Sequence, residues 1–192
     1  MFDPPKQESP LTQCVIPAQS GDGRPCEVFL QELAFRVHLN LRGDPDNSRF
    51  VSIVEEIIGV ALPVQPNSVS RKQGLIVAWL GPDEWLLIAE NDSDNVLQTR
   101  LEAKLNDVHF ALTDLSGGQT VISVSGERSL ELLSKGCTLD LHPRVFGPSQ
   151  CAQSQLAKAN VLILPRASNL CAFDVIVRRS FAEYLWRWLV KS

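Results

Sequence analysis

From Phe35 the chain alternates apolar and polar positions, with Phe35, Val37, Leu39 and Leu41 set against Arg36, His38 and Asn40. That is the period of a half-buried strand with one solvent face. Gly43–Asn47 reads as a turn, with Asn47 or Ser48 placed to cap a helix. Phe50, Ile53, Val54, Ile57, Ile58 and Ala61 then recur at i, i+3, i+4, i+7, i+8 and i+11, one stripe of an amphipathic helix. Gly59 comes near its end, and Pro63 and Pro66 bar a continuation. Leu75–Leu80 and Trp85–Ala89 are short apolar runs joined by Gly81-Pro-Asp-Glu84, a hairpin in which Pro82 presets the turn dihedral. Apolar runs without alternation predict strands covered on both faces. A second helix comes next, capped by Ser93 or Asp94, with Leu97, Leu101 and Leu105 on one face.

The second half repeats these signals. Strands are expected at His109–Leu115 and Thr120–Val124, then a helix from about Glu127 to Lys135 that stops at Gly136. Further strands are expected near Cys151–Ala157, Val161–Leu164 and Ala172–Arg178. The last helix opens on Ser180-Phe-Ala-Glu183, the pattern of a capping box. Little regular structure is expected before Glu27, because Met1–Pro10 is polar with three prolines and Gln19–Pro25 is another cluster of breakers.

Gly59-Val-Ala-Leu-Pro-Val-Gln-Pro66 aligns with Gly136-Cys-Thr-Leu-Asp-Leu-His-Pro143 at an offset of 77, matching Gly, Leu and Pro at 59/136, 62/139 and 66/143. The surrounding order of elements is β-α-β-β-α written twice. Two long copies are too few for a solenoid. They predict an α+β fold: one duplicated domain over 35–192, with halves of about 35–107 and 108–192 related by a pseudo-twofold. Residues 1–34 form a partly irregular lead-in.

Composition narrows the class of partner. Eighteen Lys+Arg against 22 Asp+Glu give a net charge of −4, which argues against a chain that coats nucleic acid. No apolar run approaches the ~20 residues of a membrane span, and Met1–Pro17 lacks the pattern of a signal peptide. A soluble cytoplasmic protein is expected, its five cysteines held as thiols.

Candidate chemistry is sparse. Leu115-Ser-Gly-Gly-Gln119 spells the signature of ABC-type ATPases, but the chain has no Gly-Lys dipeptide and so no phosphate loop. A strand-to-strand turn is the expected reading. Cys137, His142 and Cys151, with Cys14 or Cys26 as a fourth donor, lack the tight knuckle of structural zinc. Cys137 or Cys151 with His142 and Asp140, or Ser116 with His109 and Asp114, hold the atom types of nucleophilic catalysis, yet such trios arise by chance. No catalytic, cofactor-binding or metal residue is assigned to this chain.

The terminal helix says more. At 100° per residue its apolar side chains cover most of the circumference, and only Glu183, Arg187 and Lys191 make a polar stripe. A surface helix needs an apolar arc of little more than ~100°. Either the helix is sunk deeply in its own domain, or one face packs at home and another meets a partner. Trp, Tyr and Arg dominate binding hot spots, and arginines pair well with carboxylates. The candidate interface is Arg178, Arg179, Tyr184, Trp186, Arg187 and Val190.

Several stretches together resemble the gamma subunit family of heterotetrameric sarcosine oxidases: Leu39-Asn-Leu-Arg-Gly-Asp-Pro45, Gly59-Val-Ala-Leu-Pro63 with Pro66-Asn67, Leu80-Gly-Pro-Asp-Glu-Trp-Leu-Leu87, Lys135-Gly-Cys-Thr-Leu-Asp-Leu-His-Pro143, Cys151-Ala-Gln153, and Val177-Arg-Arg-Ser-Phe-Ala182 leading into Leu185-Trp-Arg-Trp-Leu189. The resemblance runs from about Leu33 to Leu189. It implies a duplicated fold like the folate-binding domain of glycine-cleavage aminomethyltransferases, with Asp114-Leu-Ser116 and Val124-Ser-Gly126 similar to a strand pair there. It also implies a non-catalytic structural subunit, with alpha, beta and delta subunits as partners. That complex oxidatively demethylates sarcosine to glycine, yielding hydrogen peroxide and methylenetetrahydrofolate. Its cofactors, FAD, FMN, NAD, tetrahydrofolate and zinc, are expected on the other subunits. The alternative is a free-standing folate-binding or folate-dependent protein of the same fold, with Asp114 or Asp140 holding the pterin's amino edge.

Overall fold

Asn47 caps the first helix, α1 (Ser48–Ile58), by accepting hydrogen bonds from the amides of Arg49 and Phe50. Gly59 closes it in the left-handed region at φ 70°, donating its N–H to Glu55 O, where a Cβ would be strained. Before α1 lie β1 (Phe29–Glu32) and β2 (Val37–Gly43), and after it β3 (Val69–Lys72), β4 (Leu75–Gly81), β5 (Glu84–Ala89) and α2 (Val96–Lys104). The remainder is β6 (Phe110–Asp114), β7 (Gln119–Ser125), α3 (Ser129–Ser134), β8 (Ala152–Leu156), β9 (Ala159–Arg166), β10 (Asn169–Arg178) and α4 (Arg179–Lys191). This computed structural model describes residues 7–14, 28–72, 74–90, 95–166 and 169–192.

The strands form two five-stranded antiparallel sheets, ordered β3-β4-β5-β2-β6 and β1-β7-β10-β9-β8. Residues of α1 and α2 cluster with Leu39, Leu41, Val77, Trp85 and Leu87 on one face of the first sheet. Residues of α3 and α4 cluster with Ile122, Val124, Ile163, Phe173 and Val175 on one face of the second. The opposite faces meet each other through Val69, Ala78, Leu86, Ile88, Val121, Leu162, Leu164 and Ile176. The layers are therefore helix, sheet, sheet, helix, and strands such as β5 are apolar on both faces because both are covered.

That stacking changes the reading of β2. The alternation assigns His38 to a solvent face, but that face looks onto the second sheet. His38 is 1% exposed, and neither ring nitrogen has a hydrogen-bond partner.

One other expectation is corrected, and two further features are not legible in the sequence. Strand β3 carries no strand signal in sequence, because Val69-Ser-Arg-Lys72 is short and polar, as an edge strand with one neighbour can be. The N-cap of α2 is Asn95, at φ 52° and without a side-chain cap bond, while Ser93 and Asp94 lie outside the described residues. The capping box at Ser180 does not form. Strand β10 stays paired through Arg178 and passes directly into α4, so Ser180 is already inside the first turn. Glu183 pairs instead with Arg187, at 2.5 Å.

The described residues of the stretch read as a lead-in join the fold. Strand β1 pairs with β7 of the second sheet, not with β2, its neighbour in the chain. Strand β6 in turn pairs with β2. Leu11 is buried in the core under α4, Ser9 Oγ bonds to Glu32, and Arg179 Nη2 donates to Glu8 O at 2.7 Å.

Candidate docking helix and polar clusters

Helix α4 turns Ala182, Leu185, Trp186 and Leu189 into the core of the second sheet. Its other residues fall on two flanks. On one, Arg179 is held by Glu8, and Val190, Arg187 and Lys191 line a notch of about 280 Å³ with Gln13 and Cys14. Burial, with Glu183 nearby, pushes the Cys14 thiol up. On the other, Phe181 and Tyr184 are exposed, and Trp188 is half-buried.

The six candidate interface residues are therefore not on one face. Trp186 is 3% exposed and packs at home, its indole N–H without an acceptor. Tyr184 stays outside, its hydroxyl accepting the Lys158 N–H at 3.3 Å. Arg187 is exposed but tied to Glu183. Arg178 lines a cleft of about 500 Å³ together with Gln119, Gln153, Gln155 and Asn160. Sequence reasoning missed Phe181 and Trp188 as outward residues. Their spacing with Tyr184, i, i+3 and i+7, is the signal that finds them.

Trp188 is fixed from below. A Cβ added at Gly136 would stand 2.6 Å from the tip of its ring and 3.0 Å from the Ala157 amide nitrogen. Only glycine allows this approach.

The candidate nucleophile trios come apart. Cys151 Sγ donates toward Ser68 O and Trp79 O, and burial pushes its thiol up to about 11, which keeps it protonated. His142 Nδ1 accepts from the Arg144 amide at 3.2 Å, and Asp140 Oδ1 accepts from the His142 amide at 2.9 Å. Both groups hold a local turn. Cys137 Sγ lies 3.8 Å from Ser154 Oγ.

Ser116 Oγ donates to Asp114 Oδ1 at 2.5 Å and accepts the His38 backbone N–H at 3.0 Å, with no bond to His109. The Leu115–Gln119 signature is a single 3₁₀ turn linking β6 to β7. Cys26 lies outside the described residues. Among the described residues, no group of three His, Cys, Asp or Glu side chains is placed to hold a metal ion.

The residues do not fit a pterin. Asp114 and Asp140 are exposed, and each already accepts a backbone amide of its own turn, so neither is a buried acceptor. Asp114 borders an open polar cleft of about 610 Å³ with Arg36, Arg179 and Ser116. No described helix is long and apolar enough to cross a membrane.

Residues 42–192 match the family described as sarcosine oxidase, gamma subunit family. The chain is 34% identical over 166 residues to the sarcosine oxidase subunit gamma of Corynebacterium sp. strain P-1, covering 86% of this chain and 79% of that one. Against the same subunit from Arthrobacter sp. it is 33% identical at the same coverage. Its structure is similar to a chain of the heterotetrameric sarcosine oxidase from Corynebacterium sp. U-96, solved with pyrrole 2-carboxylate, at TM-score 0.86 and 31% identity over 96% of this chain and 93% of that one. It shares a fold with the glycine cleavage system aminomethyltransferase T of Bartonella henselae, at TM-score 0.61 and 15% identity, over 85% of this chain and 45% of that one.

Proposed function

Because the chain belongs to the sarcosine oxidase gamma subunit family, we propose that it is the non-catalytic structural subunit of a heterotetrameric sarcosine oxidase. The observation that carries this is the likeness to a chain of such an assembly over nearly the whole length of both. The alpha, beta and delta subunits are its partners, in the cytoplasm. Sarcosine oxidation to glycine, with FAD, FMN, NAD, tetrahydrofolate and zinc, takes place on those subunits. The dispersal of Cys137, His142, Cys151 and Asp140 into separate local bonds supports a chain without chemistry of its own. The turn-capping roles of Asp114 and Asp140 speak against the free-standing folate protein.

Within the fold we read a duplication of α+β halves with a pseudo-twofold. The two sheet orders correspond term by term if β2, β3, β4, β5 match β7, β8, β9, β10, with β6 and β1 as the exchanged edges. Hydrogen bonds support the same pairing. The Val69 amide donates to Ser149 O and the Cys151 amide to Asn67 O, both at 2.8 Å. The Leu33 amide donates to Val121 O and the Leu115 amide to His38 O, again at 2.8 Å. Each bond maps onto its mate at a separation of 82 or 83 residues, so the offset of 77 at Gly59 and Gly136 is local. Helix α3 has 6 residues against the 11 of α1, and a longer loop comes after it.

The test is co-expression of this chain, carrying an affinity tag, with the alpha, beta and delta subunits of its own organism. A stoichiometric complex that oxidises sarcosine is the expected outcome. A tagged chain that elutes alone, while the other subunits are folded and present, overturns the reading.

A further inference from the structure

Helix α4 has one face in its own core and one flank against residues 8–14, which leaves a third. On that third face Phe181, Tyr184 and Trp188 stand at i, i+3 and i+7, so their rings form a ridge along one side of the helix. Phe181 is 43% and Tyr184 38% exposed. Two of the rings are held before any partner arrives. Trp188 lies on the Gly136 backbone, and Tyr184 is anchored through its hydroxyl to the Lys158 amide. Rigid aromatic side chains lose little freedom on binding, and they dominate the hot spots of protein interfaces.

Charge indicates what would meet the ridge. Of the four cations from the end of β10 through α4, Arg178 lines the cleft beside Gln119, Arg179 is held by Glu8 and Arg187 by Glu183, which leaves Lys191. Glu183 belongs to the opposite flank and is neutralised by Arg187. Lys191, one turn past Trp188, stands between the ridge and the notch that it also lines. Lys158, exposed, lies beside Tyr184. Among the described residues neither lysine has an ion-pair partner. We propose that the Phe181–Tyr184–Trp188 ridge docks this chain onto another subunit of the complex, entering an apolar groove bordered by Asp and Glu side chains that pair with Lys158 and Lys191. This rests on the subunit assignment above.

The experiment uses the tagged full-length chain co-expressed with the alpha, beta and delta subunits, with affinity measured at low and at high salt. Phe181→Glu, and separately Lys158→Glu with Lys191→Glu, are compared with Val64→Ser, an exposed apolar position away from α4. All these side chains are exposed, so circular dichroism and melting temperature should match the parent. The ridge variants are expected to bind at least tenfold more weakly. The charge variant should also lose most of the salt dependence, and Val64→Ser should bind as the parent does. Parent and ridge variants assembling with equal affinity would overturn the docking proposal and leave the subunit assignment standing. A parent chain that does not assemble would overturn the assignment itself, and the proposal with it.

Discussion

Acid should destabilise this protein through His38 in a defined window. The ring is enclosed between the two sheets with Nδ1 and Nε2 both unpartnered. Burial pushes its pKa down to about 4, the Arg36 guanidinium adds to the push, and Asp114 opposes it. In the unfolded chain the same group titrates near its ordinary value of about 6.5. Between those values the unfolded state binds more protons than the folded one. Stability attributable to a neutral His38 is therefore intact above pH ~6.5, falls as the pH drops through the window, and is lost below about 4. A gap of roughly 2.5 units at ~1.4 kcal/mol each corresponds to about 3 kcal/mol. Urea unfolding of the parent and of His38→Leu from pH 7 to pH 4 isolates this contribution, because every carboxylate titrates in both. The parent should lose about 3 kcal/mol more than the variant over that range. At pH 7 the variant should be at least as stable, since the unpaired ring nitrogens are gone. Parallel stability curves for the two proteins, or an NMR titration placing His38 near 6.5, would refute the reasoning.

Other substitutions test particular contacts. Gly136→Ala drives a Cβ into the Trp188 ring and the Ala157 amide; thermal melting should show a loss of about 1–3 kcal/mol, with a change in tryptophan emission. Trp85→Phe removes the buried indole bond to Pro63 O, 2.7 Å long, and leaves that carbonyl unpaired; chemical denaturation should register a loss of about 1–3 kcal/mol. Ser180→Ala should change stability by less than about 0.5 kcal/mol, whereas a working N-cap would cost about 1 kcal/mol.

Much of this fold can be read locally, and the parts that cannot share one physical cause. Helix α1 announces itself because its stripe, its Asn47 cap and its Gly59 stop lie within one short segment. The β4–β5 hairpin is legible for the same reason, as is the covering of both its faces. Which segment covers a face is a different kind of fact. Alternation along β2 separates Leu39 and Leu41 from His38, yet it carries no sign that a second sheet will close over the polar side. The pairings of β1 with β7 and of β6 with β2 are invisible for the same reason. Each strand is an unremarkable short segment, and its neighbour is a stretch 90 to 96 residues away for β1 and 67 to 75 residues away for β6. Helix α4 shows how far a helical wheel goes. Its apolar circumference is too wide for one buried arc, but the wheel has no origin until a core supplies one. Trp186 and Trp188 are two residues and ~200° apart, so when the second sheet took Trp186 inward, Trp188 was turned out beside Tyr184. The surplus of apolar surface was legible in sequence; which aromatic rings present it was decided by packing.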